Sequence, residues 1–232
     1  MKYQTFEQLF SHERMDRYLL ACGGDTRRAM TLYRYNLQLS QQMFTIIGCF
    51  EVILRNAINS KLSMSLGAEW LKDSVTPGGR FCTQATRRDY NSISHAYNKL
   101  LSEGQYTHPK LLSSLDFGFW KYMFSPTQFR LTGSVLLNIF PNKERSTPER
   151  QYNHSYIFNE LDKINTMRNR IAHHEPICFY LQDAVINTGH VINEYQKIQT
   201  LFMWMGVDSK SVLYGLDHVQ LLCEKIEELK PI

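Results

Sequence analysis

At 232 residues, with 43% hydrophobic and 21% charged side chains, the chain has the length of one large domain and enough apolar content to bury a core, so it reads as globular. A formal charge of only +4, from 26 basic and 22 acidic side chains, permits RNA binding but excludes the strongly cationic balance of an architectural nucleic-acid binder. The five cysteines (Cys22, Cys49, Cys82, Cys178, Cys223) are odd in number and widely spaced, with no Cys-x-x-Cys pair, so neither a disulfide framework nor a zinc site is indicated and a reducing cytoplasm is expected.

The first residues, Met1 to Glu7, lack the uninterrupted apolar core of a secretory signal. Apolar residues recur at three- and four-residue steps over most of the chain, and alternating runs bounded by tight turns are missing, so an all-α fold is expected. After the turn at Gly23-Gly24, Asp25 is placed to cap a helix with Ala29, Leu32, Tyr33 and Leu37 on its apolar side. Ser40 is a candidate cap for a second helix over 41–66, with Phe44, Ile47, Val52, Leu54, Ile58 and Leu62 inward and a stop near Gly67. The longest apolar tract, 43–54, is broken by Thr45 and Glu51 and falls short of the roughly 20 residues needed to span a membrane, so no membrane association is expected.

The Pro/Gly-rich stretch 73–79 reads as a loop, followed by a helix of mixed polarity over 83–103 whose surface carries Arg87, Arg88, Asn91 and Lys99. The expectation is one domain over 1–232 with inserted helices at about 68–150. Within that section the run Leu115-Asp116-Phe117-Gly118-Phe119-Trp120 is dense in aromatics; core packing is the ordinary role at this spacing, and a base-stacking platform is the functional alternative. The Pro-bracketed, charged stretch 141–150 reads as an exposed loop. Helical spacing of Ile157, Phe158, Leu161, Ile164 and Met167 predicts a helix over 155–172, and two further helices are expected at about 181–205 and 209–229.

The chemistry concentrates where the 155–172 helix ends, in Met167-Arg168-Asn169-Arg170-Ile171-Ala172-His173-His174-Glu175-Pro176. Two guanidinium groups, an amide, two imidazoles and a carboxylate are the groups needed to hold a phosphodiester and move protons at neutral pH. Pro176 disfavours helical geometry at Glu175, so the helix is expected to break at or just after His174. On an ideal helix Arg168 and His173 lie about 140° apart, so they converge only if the last turn unwinds or if two copies meet across a two-fold axis. Basic residues in a last helical turn also complement the helix dipole, and Glu175 can simply pair with Arg170.

The spacing from Arg168 to His173 resembles the Arg-x(4 to 6)-His signature of HEPN-domain ribonucleases, and the string from Arg168 to Ile177 resembles that of the Abi family of bacterial abortive-infection proteins. Supporting resemblance lies in Leu32-Tyr33-Arg34-Tyr35-Asn36, in Phe50-Glu51-Val52-Ile53-Leu54-Arg55-Asn56-Ala57-Ile58 and in Leu115 to Trp120, in the same order along the chain. The resemblance implies an all-α HEPN-like helical bundle and a metal-independent endoribonuclease toxin of phage defence, without cofactor, that leaves a 2′,3′-cyclic phosphate. It also implies a homodimer with a composite site, RNA as substrate, and an antitoxin or small-RNA partner.

On that reading His173 transfers protons, Arg168 stabilises the phosphate and Asn169 orients them, with His174 as the other candidate histidine. Arg170 serves as a second cation or as the partner of Glu175. Glu51, Arg55 and Asn56 either form an intrahelical ion pair or face the substrate. No metal ligands are assigned, since adjacent His173 and His174 point apart. The competing classes are a non-catalytic RNA- or nucleotide-binding module and a helical protein-interaction scaffold.

Overall fold

The computed structural model describes residues 1–180 and 183–231. Its helices are α1 (Tyr3–Phe10), α2 (His12–Ala21), α3 (Thr26–Leu66), α4 (Trp70–Asp73), α5 (Arg87–Ser102) and α6 (His108–Ser113). They continue with α7 (Phe117–Tyr122), α8 (Pro126–Leu131), α9 (His154–Ala172), α10 (Gly189–Trp204), α11 (Ser209–Val212) and α12 (Val219–Glu227). The fold is all-α, and among the described residues the extended pairing is an isolated bridge between Phe179 and Ile186. Two compact units are formed: one from 1–48, 166–200 and 209–232, the other from 49–165 and 201–208. Both α3 and α9 contribute residues to each unit.

Helix α3 starts where expected, with Asp25 Oδ1 accepting from the backbone N–H groups of Arg27 (2.9 Å) and Arg28 (3.0 Å). It then runs without interruption for 41 residues, so Ser40 caps nothing. Cap residues are only weak breakers inside a helix, and the buried series Leu32, Leu39, Met43, Ile46, Phe50, Leu54, Ile58 and Leu62 stays in phase across Ser40. The same phase turns three residues expected inward out to the surface: Leu37 is 44% exposed, Phe44 45% and Val52 41%. By length and composition α3 holds a stretch apolar enough to cross a membrane, with mean hydropathy 1.3, which the 43–54 tract alone does not suggest. A core helix meets the same criterion, and 33% of that stretch is buried.

In the first unit, α1 and α2 fold against α3 through a ladder of rings. Phe6 meets Tyr33 edge-on at 5.5 Å, Tyr33 meets Tyr18 at 5.1 Å, and Tyr18 meets Phe179 at 5.1 Å. That last contact anchors the non-helical strap that follows α9. The strap occupies part of the region expected to be helical from 181; residues 181 and 182 lie outside the described residues, and α10 begins at Gly189 after Asn187 Oδ1 accepts the Gly189 N–H at 2.9 Å. The expected 209–229 helix is two pieces, α11 and α12, divided at Gly215, whose φ of 72° belongs to the left-handed region.

The second unit buries the aromatic run of α7: Phe117, Phe119 and Trp120 are core residues, so they are not a stacking platform. Phe50 packs edge-on to Phe202 at 5.3 Å beside them. Polar anchors complete this unit. Asn59 Oδ1 accepts from Trp70 Nε1 (2.9 Å) and lies 2.8 Å from His108 Nε2, while Lys121 pairs with Asp162 at 2.6 Å. The loop 74–86 turns back on itself at Gly79, where a Cβ would sit 2.5 Å from the carbonyl oxygens of Asp73 and Ser74.

One buried amide holds the strap to α3. Asn36 Oδ1 accepts from the backbone N–H groups of Ile177 (2.8 Å) and Cys178 (3.0 Å), all three residues being buried. Asn36→Leu leaves both donors unpaired in the core and is expected to cost about 3 kcal/mol, read as a lower urea midpoint with an unchanged slope.

Candidate active site

Helix α9 keeps its hydrogen bonding to the end of the Arg/His run: the His173 N–H still donates to Asn169 O at 2.9 Å. The His174 N–H then donates to Ile171 O (3.0 Å) and the Glu175 N–H to Arg170 O (2.9 Å), while His174 takes φ 56°. This is a Schellman cap with a histidine in the left-handed position that glycine normally fills. The helix therefore stops by a tight, ordered turn and the last turn does not unwind. Arg168 and His173 keep their helical separation of about 140° within one chain.

Each motif residue has a distinct environment. Arg168 is half-buried, its guanidinium carbon 6.0 Å from the centre of the Phe44 ring, at the outer limit of a cation–π contact. Arg170 is committed to the cap: Nη2 donates to Pro176 O at 2.9 Å and Nε lies 3.5 Å from the Glu175 carboxylate. The Glu175 pairing expected for Arg170 is thus present, though half of that carboxylate faces water and screening leaves the pair little energy. Asn169, His173 and His174 are exposed, and neither imidazole has a hydrogen-bond partner among the described residues. Glu51, Arg55 and Asn56 stand together on α3 but in the other compact unit. There Arg55 is half-buried with its Nε hidden and unpartnered among the described residues, while Asn56 is exposed.

Four residues given no role by sequence reasoning lie around the motif and the strap that follows it. Arg14 Nη1 donates to His174 O at 2.9 Å, fixing the strained residue from α2. Arg17 donates twice to Asp183 O, from Nε at 3.1 Å and from Nη2 at 2.8 Å, and lies over the Phe179 ring at 4.4 Å. Asn36 holds the next two strap residues. His190, at the start of α10, has both ring nitrogens buried without a hydrogen-bond partner among the described residues, and its ring lies 5.8 Å from Tyr180. The block ending in Asn36 carried a signal for one of the four; an arginine pair at i,i+3 and a lone histidine carried none.

Two outcomes follow. A non-glycine residue in the left-handed region costs about 1 kcal/mol, so His174→Gly should raise stability by about that amount in a urea titration, while His174→Ala should not. Burial first, then the Arg170 cation, push the His190 imidazole down to about 4. An unfolded histidine titrates near 6.5, so between about pH 6.5 and 4 the unfolded chain takes up a proton that the folded chain refuses. Stability should be level above this window, fall as pH drops through it, and level again below; His190→Gln should flatten that part of the profile measured by denaturation at each pH.

No curated protein and no solved structure matches the chain. The family comparison does match: residues 2–178 correspond to the family described as Abi-like protein, a span that contains the whole run from Arg168 to Pro176 and all three supporting blocks. The chain belongs to the Abi-like protein family.

Proposed function

We propose that this Abi-like chain is a HEPN-type endoribonuclease of abortive infection, cutting RNA without a metal ion at a site completed by a second copy of itself. The observation that carries the reading is the α9 terminus: two exposed imidazoles and an amide beside a half-buried arginine, presented on a rigid cap inside the family-matched region. His173 takes the proton of a ribose 2′-OH, whose oxygen attacks the adjacent phosphorus. The 5′-oxygen leaves with a proton, giving a 2′,3′-cyclic phosphate and a 5′-OH end. Arg168 stabilises the charge that builds on the phosphoryl oxygens, and Asn169 orients a phosphate oxygen or the imidazole.

A regular last turn supports sharing between copies, because His173 of one copy and Arg168 of the other meet across a two-fold axis where one helix alone cannot aim both. Leu37 and Phe44, seven residues apart on one face of α3, expose apolar surface, with Phe44 beside Arg168, and suit such a seam. Acting on RNA in the cytoplasm, such an enzyme requires restraint, for which an antitoxin protein or a small RNA is the expected partner.

Arg168→Ala and His173→Ala should each lower cleavage about a hundredfold or more while leaving the fold intact. Activity should persist in EDTA, and mass spectrometry of the products should find cyclic phosphate ends. Mixing the two variants should restore part of the activity. Loss on His174→Ala with His173→Ala unaffected exchanges the two histidines. Tight RNA binding without cleavage would replace catalysis by a binding module, and indifference of RNA to either variant would leave a scaffold.

A further inference from the structure

We propose that a cavity beside the start of α5 is a second RNA-contact site, holding one nucleotide of a single strand outside the cleavage centre. RNA as the ligand rests on the function proposed above; the cavity and its chemistry do not. Its volume is about 460 Å³, within the range of small-molecule sites. Thr83, Gln84, Arg87, Tyr90 and Asn91 line it. The Tyr90 ring is half-buried and offers a face for stacking a base. Gln84 and Asn91 each supply an amide donor and an acceptor for a base edge, and Arg87 supplies a guanidinium for a phosphate. These three side chains are exposed and make no hydrogen bond to any described residue, so the fold does not consume them.

The sign of the local charge also suits an anion. No carboxylate is among the lining residues. The nearby Asp89 is turned into the core, where its Oδ2 accepts from Gln128 Nε2 at 2.5 Å and burial raises its pKa. Arg88, next to Arg87, lies with its guanidinium carbon 4.1 Å from the centre of the Tyr122 ring, which meets Phe158 edge-on at 5.5 Å. Both arginines and the Tyr122 ring belong to the same compact unit as the cavity. Cationic, aromatic surfaces hold single strands with little sequence preference.

Cys82 lines the same cavity and is exposed, whereas Cys22, Cys178 and Cys223 are buried and Cys49 is half-buried, so the Cys82 thiol, followed by its own peptide, reports on occupancy. The test is alkylation of Cys82 by iodoacetamide, followed by peptide mass spectrometry, with and without a short 2′-O-methyl oligonucleotide that lacks the attacking hydroxyl. Saturating oligonucleotide should slow the labelling about tenfold, and Arg87→Ala or Asn91→Ala should raise the half-protecting concentration about tenfold. Protection should persist in Arg168→Ala and His173→Ala. Unchanged labelling, or protection indifferent to Arg87 and Asn91, overturns the site. Equal protection by a free mononucleotide at the same concentration overturns RNA as its ligand. A chain that fails to cleave RNA yet protects Cys82 loses the catalytic reading and keeps this site; cleavage without protection does the reverse.

Discussion

The geometry of the candidate site depends on one backbone torsion, the left-handed turn at His174. A helix end leaves carbonyls without partners, and the cap closes them by sending the chain sharply back after Glu175. Histidine pays a steric penalty in that conformation, so the surrounding contacts must over-determine it. They come from three directions: Arg14 binds the His174 carbonyl, Arg170 holds the Pro176 carbonyl, and Asn36 takes the two N–H groups just beyond. Each of these partners grips backbone, which places the imidazoles without touching them.

That arrangement divides the cationic groups near the α9 terminus by task. Arg14 and Arg17 are occupied with carbonyl oxygens and Arg170 with a carbonyl and the Glu175 carboxylate, while among the described residues Arg168 has the face of Phe44 and the two histidines are exposed. Net charge is therefore a poor guide to what this surface can bind. Arginines satisfied by carbonyls still contribute field at the mouth of the site, because accepting oxygens orient a guanidinium without neutralising it. The half-buried His190 beside Arg170 stays uncharged at neutral pH, so it adds no charge to a region already crowded with guanidinium groups.

Much of the architecture was readable from periodicity. The all-α class, the Asp25 cap, the stop near Gly67 and the extent of α9 rest on strong local signals: a 3.6-residue apolar phase, a capping carboxylate and a proline. The failures have identifiable causes. Ser40 looked like a boundary because serine favours caps, yet an unbroken apolar phase outweighs one residue's preference. Phe44 and Val52 are apolar enough for the core, yet at 100° per residue Val52 lies about 160° from both Phe50 and Leu54 and Phe44 about 100° from Met43, so the buried face misses them. The strap after α9 is not legible in the sequence because Val185 and Ile186 fit a helix face as well as a short extended pairing. Gly215 is itself a local break signal within 209–229.

The site itself was half legible for a physical reason. Residue types state what chemistry is available, and the run from Arg168 to Glu175 states it compactly. Position on a helix is also readable, since 100° per residue places Arg168 and His173 on different faces before any coordinates exist. What the sequence cannot carry is the choice between unwinding the last turn and borrowing from a second copy, because that choice depends on contacts made 140 to 160 residues away, through Asn36 and Arg14. Those contacts keep the turn wound. Once it is wound, arginine and imidazole stay on different faces of one helix, and the ribonuclease proposed above needs a second copy for these side chains to act on one phosphate.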